Sequence, residues 1–212
     1  MNHTSIRSGM RDVDVTIRRI LKVNHAGEFG AVRIYGAQLL VARRLFPDMA
    51  PALEEMREDE IDHCRLFREA MPARRAKPCR VMAFWSLGGY LLGLMTSLGG
   101  RNMIWICTEA VEGTVHRHLE DQLAFLATRD PELHAIIASI QEQELAHLRK
   151  AEDSQKRRGL SHALLLPLIS ALTDLMIWLH RYNWHRPHGS LQSKPPVSRL
   201  GLIKDNLLRL HT

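Results

Sequence analysis

EDEIDH, residues 58–63, and EQELAH, residues 142–147, decide the fold, because each sets a glutamate three residues before a histidine in the middle of an apolar stripe. Steps of three and four keep to one helix face. Outward from the first motif that face reads Leu53, Met56, Glu60, His63, Phe67, Ala70; from the second it reads Leu133, Ile137, Ile140, Glu144, His147, Ala151. Two further stripes are broken by a single carboxylate. One is Ile17, Leu21, Asn24, Glu28, Ala31, Tyr35, Leu39; the other is Trp105, Thr108, Glu112, Val115, Leu119, Leu123, Leu126. Glu28 precedes Glu60 by 32 residues, and Glu112 precedes Glu144 by 32. Each half of the chain thus supplies one lone Glu and one E-x-x-H.

The periodicity predicts helices over about 13–45, 51–71, 102–128 and 131–158. Pro47, Pro72, Asp130-Pro131 and Gly159 mark their ends. Short links join the first to the second and the third to the fourth, and a long connection joins the two hairpins. That layout predicts an all-α, ferritin-like four-helix bundle with a long apolar crossover, Val81–Gly100, and an additional C-terminal apolar helix, Leu160–Leu179.

The chain has 212 residues, which suits one domain and a tail. Residues 1–12 form an N-terminal arm without an apolar leader, 13–180 the bundle and 181–212 a Pro- and Gly-containing tail. The net charge of +6 comes from 29 basic and 23 acidic residues, and the tail holds six of the former and one of the latter. Residues 1–180 are therefore nearly neutral, which excludes a DNA-binding body argued from charge. Three cysteines, Cys64, Cys79 and Cys107, form no C-x-x-C pair and read as ordinary buried thiols.

Four buried carboxylates without counter-charge would cost several kcal/mol each, and two divalent ions balance them. Glu and His donors with open positions suit iron or manganese, and the absence of Cys donors disfavours structural zinc. On the third helix Glu109, one turn before Glu112, competes for the ligand role. His116 and His118 read as polar or cavity-lining groups. Asp59 and Asp62 flank Glu60; one is a candidate to hydrogen-bond a ligating imidazole, the other is surface charge.

VNHAGEFGAVRIYGAQL (23–39), EDEIDH (58–63), CTEAVEGTVHRHLEDQL (107–123) and EQELAH together resemble the demethoxyubiquinone hydroxylase family over roughly residues 13–179. The resemblance implies a membrane-peripheral di-iron monooxygenase of ubiquinone biosynthesis that hydroxylates a polyprenyl-methoxy-methyl-benzoquinol with O2. It selects Glu112 over Glu109. It implies Glu28 and His63 on one iron, Glu112 and His147 on the other, and Glu60 and Glu144 bridging. Gly27 and Gly30 would leave room beside Glu28. Gly113 and Leu119 stand where many relatives carry Glu and some carry a gating Tyr.

The family also implies self-association and a lipid-binding accessory protein. Its localisation would be the cytoplasmic side of a bacterial cell membrane, peripherally bound. Val81–Gly100 is expected to lie in the bilayer interface, anchored by Trp85 and Tyr90. The fifth segment, broken by Pro167 and Asp174, reads as too interrupted to span. YNWHRPHGSL followed by Pro195-Pro196 resembles the end of an integrase-type insertion-sequence transposase. The tail is expected to be a non-functional fusion that binds no nucleic acid. A ferritin-like iron-storage protein is the alternative on the same ligands.

Overall fold

The computed structural model describes residues 3–155 and 158–185, with side chains described over 13–155 and 158–178. It contains six α-helices and, among the described residues, no strand: α1 His3–Leu45, α2 Ala50–Ala70, α3 Met82–Leu98, α4 Arg101–Leu126, α5 Pro131–Ser154 and α6 Leu160–His185. Short 3₁₀ turns follow α1 and α2, each opened by a proline, Pro47 and Pro72. The chain divides into two compact units, Met1–Thr173 and Asp174–Thr212. The first holds the bundle. The transposase-like stretch lies almost wholly outside the described residues.

Helices α1, α2, α4 and α5 form the bundle. Arg43 pairs with Glu54 across α1 and α2, and Lys150 with Glu55 across α5 and α2. Asn24 and Gln122 exchange two amide hydrogen bonds, of 2.7 and 2.9 Å, between α1 and α4. Residue numbers rise on one helix as they fall on the other, through Lys150–Glu55, His147–Asp59 and Gln143–His63 between α5 and α2 and through Asn24–Gln122 and Tyr35–Glu112 between α1 and α4, so these neighbours run antiparallel. The predicted stripes are the buried faces. Ile17, Leu21, Phe67, Leu119, Leu126, Leu133, Ile137 and Ile140 fill one end. Tyr35, Leu39, Leu53, Met56, Ile104 and Trp105 fill the other. Leu119, at the position where some relatives would carry a gating Tyr, is 1% exposed in the first layer and is simply core.

The α4–α5 turn is clasped to the end of α2. Asp130 caps α5, accepting from the Leu133 amide at 3.0 Å, and Pro131 opens the helix at a position that needs no N–H donor. Arg74 grips the same carboxylate through two nitrogens at 2.5 and 2.7 Å and reaches Glu132 at 3.0 Å.

The crossover is a helix, α3, lying along α1 and parallel to it. A Cβ at Gly89 would sit 2.4 Å from the Gly30 carbonyl oxygen, and one at Gly93 would sit 2.3 Å from that of Ile34. Only glycine lets the two backbones approach so closely. The requirement falls on Gly89 and Gly93; a Cβ at Gly30 would make an ordinary contact of 3.7 Å with the Trp85 ring of α3, and one at Gly27 would meet nothing within 4 Å. Gly100, at φ +96°, turns the chain into α4.

The outward face of α3 is carried by Phe84, Leu87, Leu91, Met95 and Leu98, all exposed. Trp85 and Tyr90, the expected anchors, are half-buried. On α6, Leu165, Leu166 and Ile169 pack with Ile106, Cys107 and Ala110 of α4, while Leu160, Leu164, Leu168 and Leu172 face outward. Contrary to the expectation of interruption, α6 runs unbroken through Pro167. Its Leu160–Trp178 stretch is long and apolar enough to cross a membrane by length and composition, with a mean hydropathy of 1.7; α3, at 17 residues, is shorter than such a stretch.

Candidate metal centre

The six predicted residues meet between the two apolar layers. Glu28, Glu60, His63, Glu112, Glu144 and His147 are all at most 5% exposed. They form two groups that share Glu60 and Glu144. One adds Glu28 and His63, the other Glu112 and His147, and in each group four donor atoms lie within 4.8 Å of one another. Either group could hold a metal ion.

The hydrogen-bond inventory tests that fit. Both oxygens of Glu60, both oxygens of Glu144 and the Nδ1 atoms of His63 and His147 are buried without a hydrogen-bond partner. Buried polar atoms in folded proteins are almost always paired. Six orphaned donor atoms converging on one volume have the chemistry of a cation site. His63 Nδ1 lies 3.4 Å from Glu60 and 3.2 Å from Glu144; His147 Nδ1 lies 3.5 Å from Glu60 and 3.7 Å from Glu144.

The opposite edges of the imidazoles are held from outside. His147 Nε2 stands 3.0 Å from Asp59 Oδ2, and His63 Nε2 stands 3.0 Å from Gln143 Oε1. A carboxylate only accepts, so Nε2 of His147 carries a proton, and a cation bound in the cluster would take the lone pair of Nδ1. Of the two aspartates flanking Glu60, Asp59 thus plays the orienting role. Asp62 pairs with Arg65 on the surface at 3.2 Å. Gln143 is absent from the buried stripes, yet the repeat places it immediately before Glu144 as Asp59 stands immediately before Glu60.

Without ions the cluster favours protons. Burial, then the charges of Glu144 and Glu60, hold the Glu28 and Glu112 carboxyls well above the usual range. Burial pulls the imidazoles down, but the facing carboxylates outweigh it and raise His63 to about 12 and His147 to about 11. Burial likewise pushes Glu144 up, and its contacts with His147 and His63 win, leaving it at about 2.

Tyr35, 1% exposed, donates its phenolic hydroxyl to Glu112 Oε1. Glu109 is turned away from the cluster, held by Gln155 and by His162 at 3.1 Å. His116 and His118 belong to neither donor group. On the Glu112 side a narrow crevice, without room for a water molecule, is lined by Ala31, Ile34, Tyr35, Cys107, Thr108, Val111 and Glu112. The Thr108 hydroxyl there is buried and has no hydrogen-bond partner.

Residues 15–180 match the family described as ubiquinone biosynthesis protein COQ7. The chain is similar to the human NADPH-dependent 3-demethoxyubiquinone 3-hydroxylase, mitochondrial, with 33% identity over 83% of this chain and 85% of the relative. It is 34% identical to the mouse protein of the same name, over 77% and 76% of the two chains. It is 32% identical to the 3-demethoxyubiquinol 3-hydroxylase of Rhodospirillum rubrum, again over 77% and 76%. The match spans all six buried donors, and the chain belongs to the ubiquinone biosynthesis protein COQ7 family.

Proposed function

We propose that this chain is an O2-dependent monooxygenase that hydroxylates a demethoxyubiquinol at a two-iron centre. The observation that carries the reading is the convergence of six buried, mutually facing donors, with the oxygens of Glu60 and Glu144 unpartnered, in a chain of a hydroxylase family. Glu28 and His63 would hold one iron, Glu112 and His147 the other, with Glu60 and Glu144 bridging. When bound, two adjacent irons with open positions would supply the binding and reduction of O2.

The chain's own residues supply the rest. Asp59 and Gln143 keep both imidazole Nδ1 atoms aimed inward. Tyr35 occupies one oxygen of Glu112 and leaves the other for an ion. The two apolar layers exclude water. The crevice beside Glu112 would widen to admit the ring, and Thr108 would donate to a ring oxygen.

The exposed leucines of α3 and α6 support a peripheral site at a membrane surface, suited to a prenylated substrate. Resemblance adds self-association and a lipid-binding accessory protein as partners, and the cytoplasmic face of a bacterial cell membrane as the location. Residues 181–212 carry none of the six donors and are proposed to be a transposase-derived fusion with no recombinase or nucleic-acid role. A storage protein would share the donors, but those apolar faces give it no advantage.

The test is expression of the full chain, and of residues 1–185, in a bacterium lacking its own hydroxylase for this step. Mass spectrometry of extracted quinones should show demethoxyubiquinone giving way to ubiquinone, and Glu144→Ala should abolish the conversion. Persistence of the precursor with a two-iron, membrane-bound protein would refute the activity.

A further inference from the structure

The two halves of the centre match in spacing but differ in what stands behind their histidines. The residue before each shared glutamate crosses to the other motif's imidazole: Asp59 of α2 to His147 of α5, and Gln143 of α5 to His63 of α2. Both contacts are 3.0 Å and both are made to Nε2, so the geometries are alike and the chemistry is not. Behind His147 stands an acceptor-only carboxylate. It enforces one tautomer and makes Nδ1 a stronger electron-pair donor. Behind His63 stands a neutral amide, which carries no charge and can turn either its oxygen or its nitrogen to the ring.

Tyr35 adds to the difference in the same half. Its hydroxyl fixes Glu112 Oε1, so that carboxylate enters the Glu112–His147 group already oriented. No phenol of this kind bonds Glu28 among the described hydrogen bonds. The charge carried by Asp59 is the larger effect, because a full charge acting through an imidazole outweighs a fixed dipole.

We propose that the two ion sites are unequal by construction: the Glu112–His147 site, backed by Asp59, binds its divalent ion first and more tightly, and the Glu28–His63 site, backed by Gln143, holds the weaker, exchangeable ion. Asp59 and Gln143 act as positioning residues through the histidines they hold. This rests on the two-ion reading above. Partners of this kind change metal affinity by about 10- to 100-fold, and that is the separation expected between the two steps.

The test is anaerobic titration of the metal-free full chain with Co2+ alone, followed by ligand-field absorption and calorimetry. The wild type should bind two ions in two resolved steps about 10- to 100-fold apart. Asp59→Asn should weaken the first step by that factor and leave the second, merging the two. Asp59→Glu should restore the separation in part. Gln143→Glu should strengthen the second step alone. A merely structural role would weaken both steps together or lower helical circular dichroism, and neither is expected. Two equal steps in the wild type, or an Asp59→Asn titration that superimposes on it, would overturn the inequality while leaving the two-ion centre standing. Fewer than two ions in the wild type would overturn the centre itself, and the inequality with it.

Discussion

Replacing Gly93 with alanine isolates the contact that seats α3 on the bundle. The new methyl would meet the Ile34 carbonyl oxygen at 2.3 Å, with two more α1 backbone atoms at 2.9 Å. Ordinary contact begins near 3.4 Å, so α3 must move off α1 by about 1 Å or bend, at an overpacking cost of about 1–3 kcal/mol. Against that stands the helix preference for alanine, worth about 1 kcal/mol in an unobstructed helix interior. Gly88, in the same helix, provides that reference, because a Cβ there meets nothing within 4 Å. Gly88→Ala should therefore stabilise by up to about 1 kcal/mol, and Gly93→Ala should fall below it by about 1–3 kcal/mol. For a chain of this size each kcal/mol moves the melting midpoint by about 2–4 °C. Thermal unfolding followed at 222 nm should place Gly93→Ala some 2–12 °C below Gly88→Ala. Coincident melting curves would show that α3 is not held by direct backbone contact with α1.

Ala at Glu60 or Glu144 should each cost more than one iron per chain by elemental analysis, since both carboxylates belong to both donor groups; full metal content in both variants would sink the bridging assignment. Because His63 and His147 are lifted to about 12 and 11 and the Glu28 and Glu112 carboxyls are raised as well, metal must displace protons. Affinity should fall as pH falls, and calorimetry in buffers of different ionisation heat should register proton release. Arg74 holds the Asp130 carboxyl below its ordinary value, so the stability this pair contributes is present above about pH 4 and is lost as pH falls further. Asp130→Asn should flatten that acid limb and also lower stability at neutral pH, measured by urea unfolding at several pH values. Thr108→Val should raise KM for the quinol and leave metal content unchanged; an unaltered KM would remove the hydroxyl from substrate binding.

The bundle and the six donors were legible because burial imposes a period. A carboxylate interrupting an apolar stripe at its middle has nowhere to point except the core, and two stripes with the same interruption 84 residues apart define a pair of half-sites. Helix ends were less legible. α5 stops at Ser154, before the expected Arg158, and α6 passes through Pro167, which forfeits one hydrogen bond without ending the helix. It continues past the expected boundary near residue 180. In the sequence Gly30 reads as space beside Glu28, whereas its neighbour is Trp85 of α3, far along the chain, a tertiary contact with no local signature. Gln143 gives no signal in the stripes, because an amide beside a buried glutamate carries no pattern of its own. Only the repeat, superimposing 59–63 on 143–147, reveals it.

Because Glu60 and Glu144 serve both donor groups, neither hairpin carries a complete ion site, and this sets a schedule for biosynthesis. The first hairpin leaves the ribosome with Glu28, Glu60 and His63 already present, 84 residues ahead of Glu144. At about 5–20 residues per second that interval is roughly 4–17 s. Throughout it, three candidate donor side chains lie on an apolar face without the fourth, Glu144, that completes their group. Arrival of α5 closes the enclosure, so any ion the centre holds would be selected when the two hairpins dock and not on the nascent chain.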